Sequence, residues 1–284
     1  MGTSKGYGGA PSGLVPSWVD DTTPGAAAPT AVPAGGGGAG GASPGVAPKV
    51  PAAVPDVSSA GRLSTAKGNF TRFVRSGDSD TLRRSISQYV RNGTGSARKA
   101  ARRMGASRSA GTQLLQVIRD VNRQGAAATL QKLNLQHLSG RPAADVFVAM
   151  LETICPPGGR IDEAIARQAM LDAIADLADA GGETFEQMTP EQLSEFFQDF
   201  VIYTIEGRVI ADIGTHAIDF PETVDGVEQV QEQLHGFVTN CVRGHLGEHF
   251  DGLVEKTDEQ VKETVERIYE AAFELVSAMA GDVE

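Results

Sequence analysis

The stretch TDEQVKETVERIYEAAFELVSAM, residues 257–279, decides the fold class. Thr257 followed three residues later by Gln260 is the reciprocal capping pattern that satisfies two amides at the start of a helix. Val261, Val265, Ile268, Ala272, Leu275 and Met279 then step by four and three, which lines them along one side of a 3.6-residue helix. Such a stripe is stable only against other apolar surface. The spacing predicts a helix that packs into a helical body, although a partner helix could use the same heptad-like face.

Working outward, the same grammar recurs. Thr189, Pro190, Glu191 and Gln192 form a second capping box with proline at the first helical position, opening a helix that turns Leu193, Phe196, Phe197 and Phe200 inward. Met170, Leu171, Ile174, Leu177 and Ala178 make a stripe that stops at Gly181 and Gly182. Asp145 to Thr153 reads as a helix started by Pro142 and stopped by Pro156 and Pro157, and Leu114, Leu115, Ile118 and Val121 line one side of another. Ser79 or Asp80 can cap a helix with the face Leu82, Ile86, Tyr89 and Val90, closed by a turn at Asn92 to Gly95. A short basic helix with Arg98, Lys99, Arg102 and Arg103 follows and ends at Gly105. No alternating strand pattern competes with these periods. The predicted fold is all-α, a helical bundle-like body preceded by a disordered Gly/Pro/Ala-rich N-terminal tail.

Residues 22–60 contain 8 Gly, 7 Pro and 11 Ala among 39 positions, so ordering their backbone would cost more than their burial returns. As a flexible coil they span on the order of 35 Å. Before them stands MGTSKGYGGAPSGLVPSWVDD, residues 1–21, with the only tryptophan, Trp18, inside the apolar patch Leu14, Val15, Pro16, Trp18 and Val19. An aromatic anchor on a tether is the design of a docking peptide. Removal of Met1 leaves Gly2 with an unhindered, nucleophilic amine. The expected organisation is a docking and acceptor peptide over 1–21, a linker over 22–60, a basic helical region over 61–150 and an acidic one over 151–284. Folded sequence begins near Arg62, and residues 61–284 form one body.

The net charge of -11 hides a division. Residues 61–123 carry 14 Lys and Arg against 3 Asp and Glu, net +11, whereas residues 151–284 carry 7 against 29, net -22. Two readings follow: the basic part packs beside the acidic part, or it binds nucleic acid by counterion release. No aromatic stacking ladder accompanies the arginines. Two distant cysteines, Cys155 and Cys241, suit a reduced compartment better than a disulfide framework. No apolar h-region opens the chain, no stretch approaches a membrane span, and Gly6 stands where myristoylation wants Ser or Thr. A cytoplasmic protein without a membrane partner is expected.

Chemistry-bearing constellations are few. Cys241, His245 and His249 fall four apart and would share one side of a helix through residues 226–250. Gly244 and Gly247 interrupt such a helix, and the outer pair would stand about 12 Å apart along its axis, too far for one tetrahedral ion. His137 and His216 have no evident partner. Gly93 to Lys99 resembles an anion-cradling turn entering a helix, but lacks the P-loop's closing Lys and Ser or Thr. No nucleophile elbow or distinctive carboxylate pair is present. The pattern is that of a non-enzyme with no catalytic residues, no metal site and no cofactor.

Five segments together resemble one family. They are the opening MGTS, the run Pro16, Ser17, Trp18, Val19, Asp20, the Gly/Pro/Ala linker, NFTRFVRSG at Asn69 to Gly77, and YVRNGTGSARKAARRMGAS at Tyr89 to Ser107. The chain is similar to the QatB family of the bacterial four-gene Qat anti-phage defence system, most closely over residues 1–21 and 68–110. The resemblance implies three partners encoded beside it: an ATPase, a QueC-like enzyme and a TatD-like nuclease. QueC-like enzymes use ATP to activate a carboxylate on a deazaguanine precursor and pass it to an amine. The expectation is that Gly2 acts as acceptor amine, Thr3 and Ser4 position it, and Trp18 with Leu14 anchors the tail on the QueC-like partner. The alternative is a nucleic-acid-binding subunit acting through residues 61–123, with contacts at Arg98, Lys99, Arg102 and Arg103. No catalytic residue comes with the resemblance.

Overall fold

The computed structural model describes residues 61–214, 224–243 and 245–279. They form ten α-helices and, among the described residues, no β-strand. Helix α1 spans Ser64–Ser76 and α2 Ser79–Gln88, joined by a tight corner at Gly77. Gly77 has φ 68, the left-handed conformation a glycine adopts cheaply, and its N–H donates to Phe73 O at 2.7 Å. The cap of α2 is Asp78, one residue before the expected Ser79 or Asp80, and it accepts from Thr81 N at 3.0 Å. Ser85 donates to Ala66 O at 2.8 Å in the buried seam between the two helices.

Where a closing turn is expected at Asn92 to Gly95, α2 instead runs into a π-helical turn, Tyr89–Gly93. The wide turn keeps both Tyr89 and Val90 buried. Gly93 suits the turn because it has no Cβ, which here would run into the Leu63 side chain. The chain continues through α3 (Ala97–Arg102), α4 (Gly105–Gln124), α5 (Ala126–Lys132) and α6 (Ala143–Ile154). It ends with α7 (Ile161–Asp179), α8 (Pro190–Gly214), α9 (Val224–Val242) and α10 (Asp258–Met279). Both expected capping boxes are present. Thr189 N donates to Gln192 Oε1 at 2.8 Å and Gln192 N to Thr189 Oγ1 at 3.3 Å, and Thr257 and Gln260 repeat the arrangement at 2.8 and 3.3 Å.

Helix α8 is the central post. Phe197, Phe200, Val201, Ile202, Ile205, Val209 and Ile213 are fully buried along it, each worth about 1.5–3 kcal/mol of transfer free energy. Helices α4, α7 and α9 pack directly on it. Two glycines set the spacing: a Cβ on Gly111 of α4 would stand 3.5 Å from both Phe200 Cε1 and Val265 Cγ1, and one on Gly207 of α8 would press to 3.1 Å from Ile165 Cγ2. Phe147 of α6 stacks on Phe196 at 4.0 Å and meets Phe185 edge-on at 5.6 Å. One contiguous core joins all of these helices.

Two apolar faces differ from their sequence reading. In α10, Val261, Val265, Ile268 and Ala272 are buried as expected, but Tyr269, Phe273 and Val276 are fully buried beside them while Leu275 is only half-buried. The helix is covered from two sides, by α3 and α4 and by α9, so its apolar face is wider than the stripe. In α7 the expected Leu171 is 38% exposed and Ala178 is exposed. The buried face is Ile165, Ala166, Ala169, Met170, Ala173 and Ile174, an alanine-rich surface whose small side chains admit α8 closely.

Candidate functional site

The described residues that gather the most directed polar chemistry are those of Tyr89 to Ser107 and the groups they meet. At the entrance to α3, Thr94 donates to Val90 O at 2.8 Å, and Ser96 caps the helix by accepting from Lys99 N at 3.2 Å. Gly95, at φ 87, lies under the Lys99 side chain, and a Cβ on it would be 3.6 Å from Nζ. The turn read as an anion cradle therefore meets one of its free amides with its own serine, and its lysine folds back across the glycine.

The four basic candidates divide two and two. Arg98 Nε lies 3.2 Å from Glu270 of α10, and Arg103 lies 3.7 Å from Asp212 of α8. Lys99 and Arg102 are exposed. Farther along, Arg108 reaches Glu266 at 3.1 Å, and Arg119 bridges Asp120 and Asp258 at 3.0 and 2.8 Å. At least four of the fourteen cations of residues 61–123 thus pair with carboxylates of α8 and α10, in part at the surface where basic α3 and α4 lie on acidic α10.

Asp212 is the hub. Its side chain, 16% exposed, accepts from Tyr89 Oη at 2.9 Å and from Arg208 Nε at 3.2 Å, with Arg103 beyond. Burial, and then the neighbouring carboxylate, pushes the Tyr89 phenol far above its ordinary value, so it stays protonated and donates. A few residues on, Asp162 from the first turn of α7 accepts from Ala106 N at 2.6 Å, capping α4 from outside its own chain segment. None of these acceptors announces itself in sequence: Tyr89 and Asp212 are 123 positions apart, and Asp212 sits in no motif.

A second polar cluster lies on the α7, α8 and α9 surface. His235 Nδ1 stands 2.9 Å from the buried Glu206, and Tyr203 stacks on the imidazole at 5.0 Å and donates to Asp176 at 2.6 Å. Arg243 pairs with Asp199 nearby. Glu206 holds the His235 imidazolium above its ordinary pKa, while burial raises the Glu206 carboxyl, with His235 opposing.

Cys241, His245 and His249, spaced four apart in sequence, do not share a helix face. Helix α9 ends at Val242, leaving Cys241 buried inside it, His245 in the following turn and His249 in a separate 3-10 turn, Gly247–Phe250. The common helix face is lost after Val242, ahead of the interruption anticipated from the sequence. Among the described residues no three His, Cys, Asp or Glu side chains converge as metal ligands. Burial pushes the Cys241 thiol up to about 11 and that of Cys155 to about 12, so neither is a ready thiolate. His137 lies in a 3-10 turn, and His216 falls outside the described residues. So do Gly2, Thr3, Ser4, Leu14, Val15, Pro16, Trp18 and Val19. Among the described residues no helix is long and apolar enough to cross a membrane.

A family model described as Qat anti-phage system associated protein QatB matches residues 95–276. The match begins inside the Tyr89 to Ser107 corner and ends within α10. No curated protein and no solved structure matches the chain.

Proposed function

Because this chain belongs to the QatB family and is therefore a component of the Qat anti-phage system, we propose that it acts in that system without catalysing a reaction itself, as a helical adaptor that presents its N-terminal tail to a QueC-like partner enzyme. The observation that carries the reading is the sequence of residues 1–60: a small Gly2, an apolar patch at Leu14 to Val19 built around the only tryptophan, and a Gly/Pro/Ala tether behind them. After removal of Met1 the Gly2 amine attacks the carboxyl carbon that the partner has activated with ATP. One C–N bond forms as the bond to the activating phosphate breaks, and the amine loses a proton. Thr3 and Ser4 hold the amine by hydrogen bonds, and Trp18 with Leu14 supplies the anchor, since buried aromatic side chains commonly dominate such interfaces. The system's ATPase and TatD-like nuclease are the further partners.

The body supports this role through what its polar groups already do. Arg98, Arg103, Arg108 and Arg119 hold helices together, which is the work of a platform. The same pairings weigh against a nucleic-acid interface made of Arg98, Lys99, Arg102 and Arg103, because two of those four cations already have carboxylate partners. The test is co-expression with the QueC-like enzyme, followed by intact-mass and peptide mapping. The expected result is an adduct confined to the N-terminal peptide and lost when Gly2 is replaced by Pro. An unmodified Gly2, together with an undiminished complex after deletion of residues 1–21, overturns the proposal.

A further inference from the structure

Helices α2 and α9 do not close on each other along their whole length. Between them lies an open groove of about 490 Å³, within the range of built recognition sites. Its apolar floor comes from Leu82 of α2 and the half-buried Phe237 of α9. Three features set it apart from an ordinary packing gap. Gly236 sits in the interior of α9, where glycine costs about 1 kcal/mol relative to alanine, yet a Cβ there would meet nothing within 4 Å. The residue leaves space without being required by any close approach. Gln233 Oε1 is buried and accepts no hydrogen bond among the described residues, an acceptor left unmade at a typical cost of about 1–3 kcal/mol. Arg83, exposed on α2, lines the same groove.

Gln233, Phe237 and Asn240 follow one another at four and three residues, so they share one face of α9 as amide, ring and amide. That order matches an extended peptide: a carboxamide can meet both the N–H and the C=O of a strand backbone, and a ring between two carboxamides takes the intervening side chain. A helical ligand has its backbone satisfied internally and has no use for the two amides. The guanidinium at the rim selects a carboxylate.

We propose that this groove is a docking site for an extended acidic segment of a partner protein. An apolar side chain of that segment lies on Leu82 and Phe237 over Gly236. The Gln233 side chain turns toward the groove so that its Oε1, covered and unpartnered in the free protein, accepts from the segment's backbone N–H; Asn240 completes the backbone contacts, and an acidic side chain pairs with Arg83. The site is separate from the tail chemistry proposed above and does not depend on it.

The test is fluorescence polarisation of the full chain with a labelled Ser-Glu-Asp-Phe-Glu-Ser peptide. Two control peptides carry Ser in place of Phe, or Lys in place of each acidic residue. The expected result is saturable binding that weakens at least tenfold with either control. Gly236→Leu, which fills the floor, and Arg83→Glu, which reverses the rim charge, should each weaken it by a similar factor. Helix content should be unchanged, because Gly236 faces open space and Arg83 is exposed. If Gly236→Leu nevertheless fails to fold, Gln233→Leu takes its place and should cost at least threefold. Equal binding of all three peptides, or binding untouched by both groove variants, overturns the proposal. Complete displacement by indole-3-acetate at equal concentration overturns it in favour of a small-molecule site. Loss of an oligothymidylate complex with Arg83→Glu but not with Gly236→Leu overturns it in favour of nucleic acid.

Discussion

The corner at Tyr89 to Ser107 and the groove between α2 and α9 are both built with arginines beside apolar floors, but they differ in what is left over. At the corner most of the charge is paired: Asp212 gathers Tyr89, Arg208 and Arg103, and Asp162 closes the start of α4. The Ser107 hydroxyl, Arg108 Nε and Asp162 Oδ1 stay buried there in closed packing, without a hydrogen-bond partner among the described residues. In the groove a buried amide oxygen accepts nothing and a helix-interior glycine faces open space. Glycine and arginine are conspicuous in both stretches of sequence. In a helical body the sign of a binding surface is an unpaired group beside open space, and much of a conspicuous motif can be used up by the fold.

The comparison breaks most decisively at its hub. Asp212→Ala strands Arg208 and Arg103 and leaves the buried Tyr89 hydroxyl without its acceptor, and is expected to destabilise the body by about 2–3 kcal/mol in urea unfolding. A loss under 0.5 kcal/mol would show that the corner is not a clamp. Asp162→Ala removes a cap from α4 and a favourable charge from the first turn of α7, for about 1–2 kcal/mol on the same scale. The groove should answer in the opposite direction. Gly236→Ala is expected to stabilise by about 0.5–1 kcal/mol, because the methyl group meets nothing and the helix gains propensity. Destabilisation there would mean that the space is not open.

The smallest effect is one of pH. Because Glu206 raises the His235 pKa and burial raises that of Glu206, this pair binds more protons in the folded state than in the unfolded one. Burial lowers the His249 pKa and works in the opposite direction, which is why the comparison is made against the His235 variant. Stability from His235 is fully present below the ordinary histidine value of 6.5 and is lost as pH rises through the higher folded value. The expected observation is a Tm that declines between about pH 6 and 8, a slope that His235→Gln flattens. An unchanged slope in that variant removes the pair from the account.

The helical class was legible because it depends on local rules. Thr189 with Gln192 and Thr257 with Gln260 form their capping bonds as the spacing dictates, within four residues. Faces were less legible because they depend on neighbours. Leu171 was placed inward for its size, whereas the inward side of α7 is Ile165, which packs over Gly207 of α8, with the small Ala166, Ala169 and Ala173. The end of α9 was legible for the same local reason as the caps: glycines at 244 and 247 argue against one helix through Cys241, His245 and His249, and the helix stops at Val242. Of the four basic candidates, two proved to be engaged, through carboxylates more than a hundred positions away that no window of sequence contains. The groove was invisible for a different reason, since an empty space between two helices has no residues of its own.

The separations in the corner also set an order of events. The α1–α2 hairpin closes between neighbours, with Ser85 reaching Ala66 across only 19 positions. Tyr89, Arg108 and Arg98 must instead wait for partners 123, 158 and 172 residues later in the chain. On a ribosome adding about 5–20 residues per second, the basic stretch is exposed for some ten seconds or more before α10 emerges to meet it. Throughout that interval the arginines that later bind helix to helix are free cations on a nascent chain. The acidic C-terminal helix thus completes the core and also ends a period in which the young protein is open to any polyanion nearby.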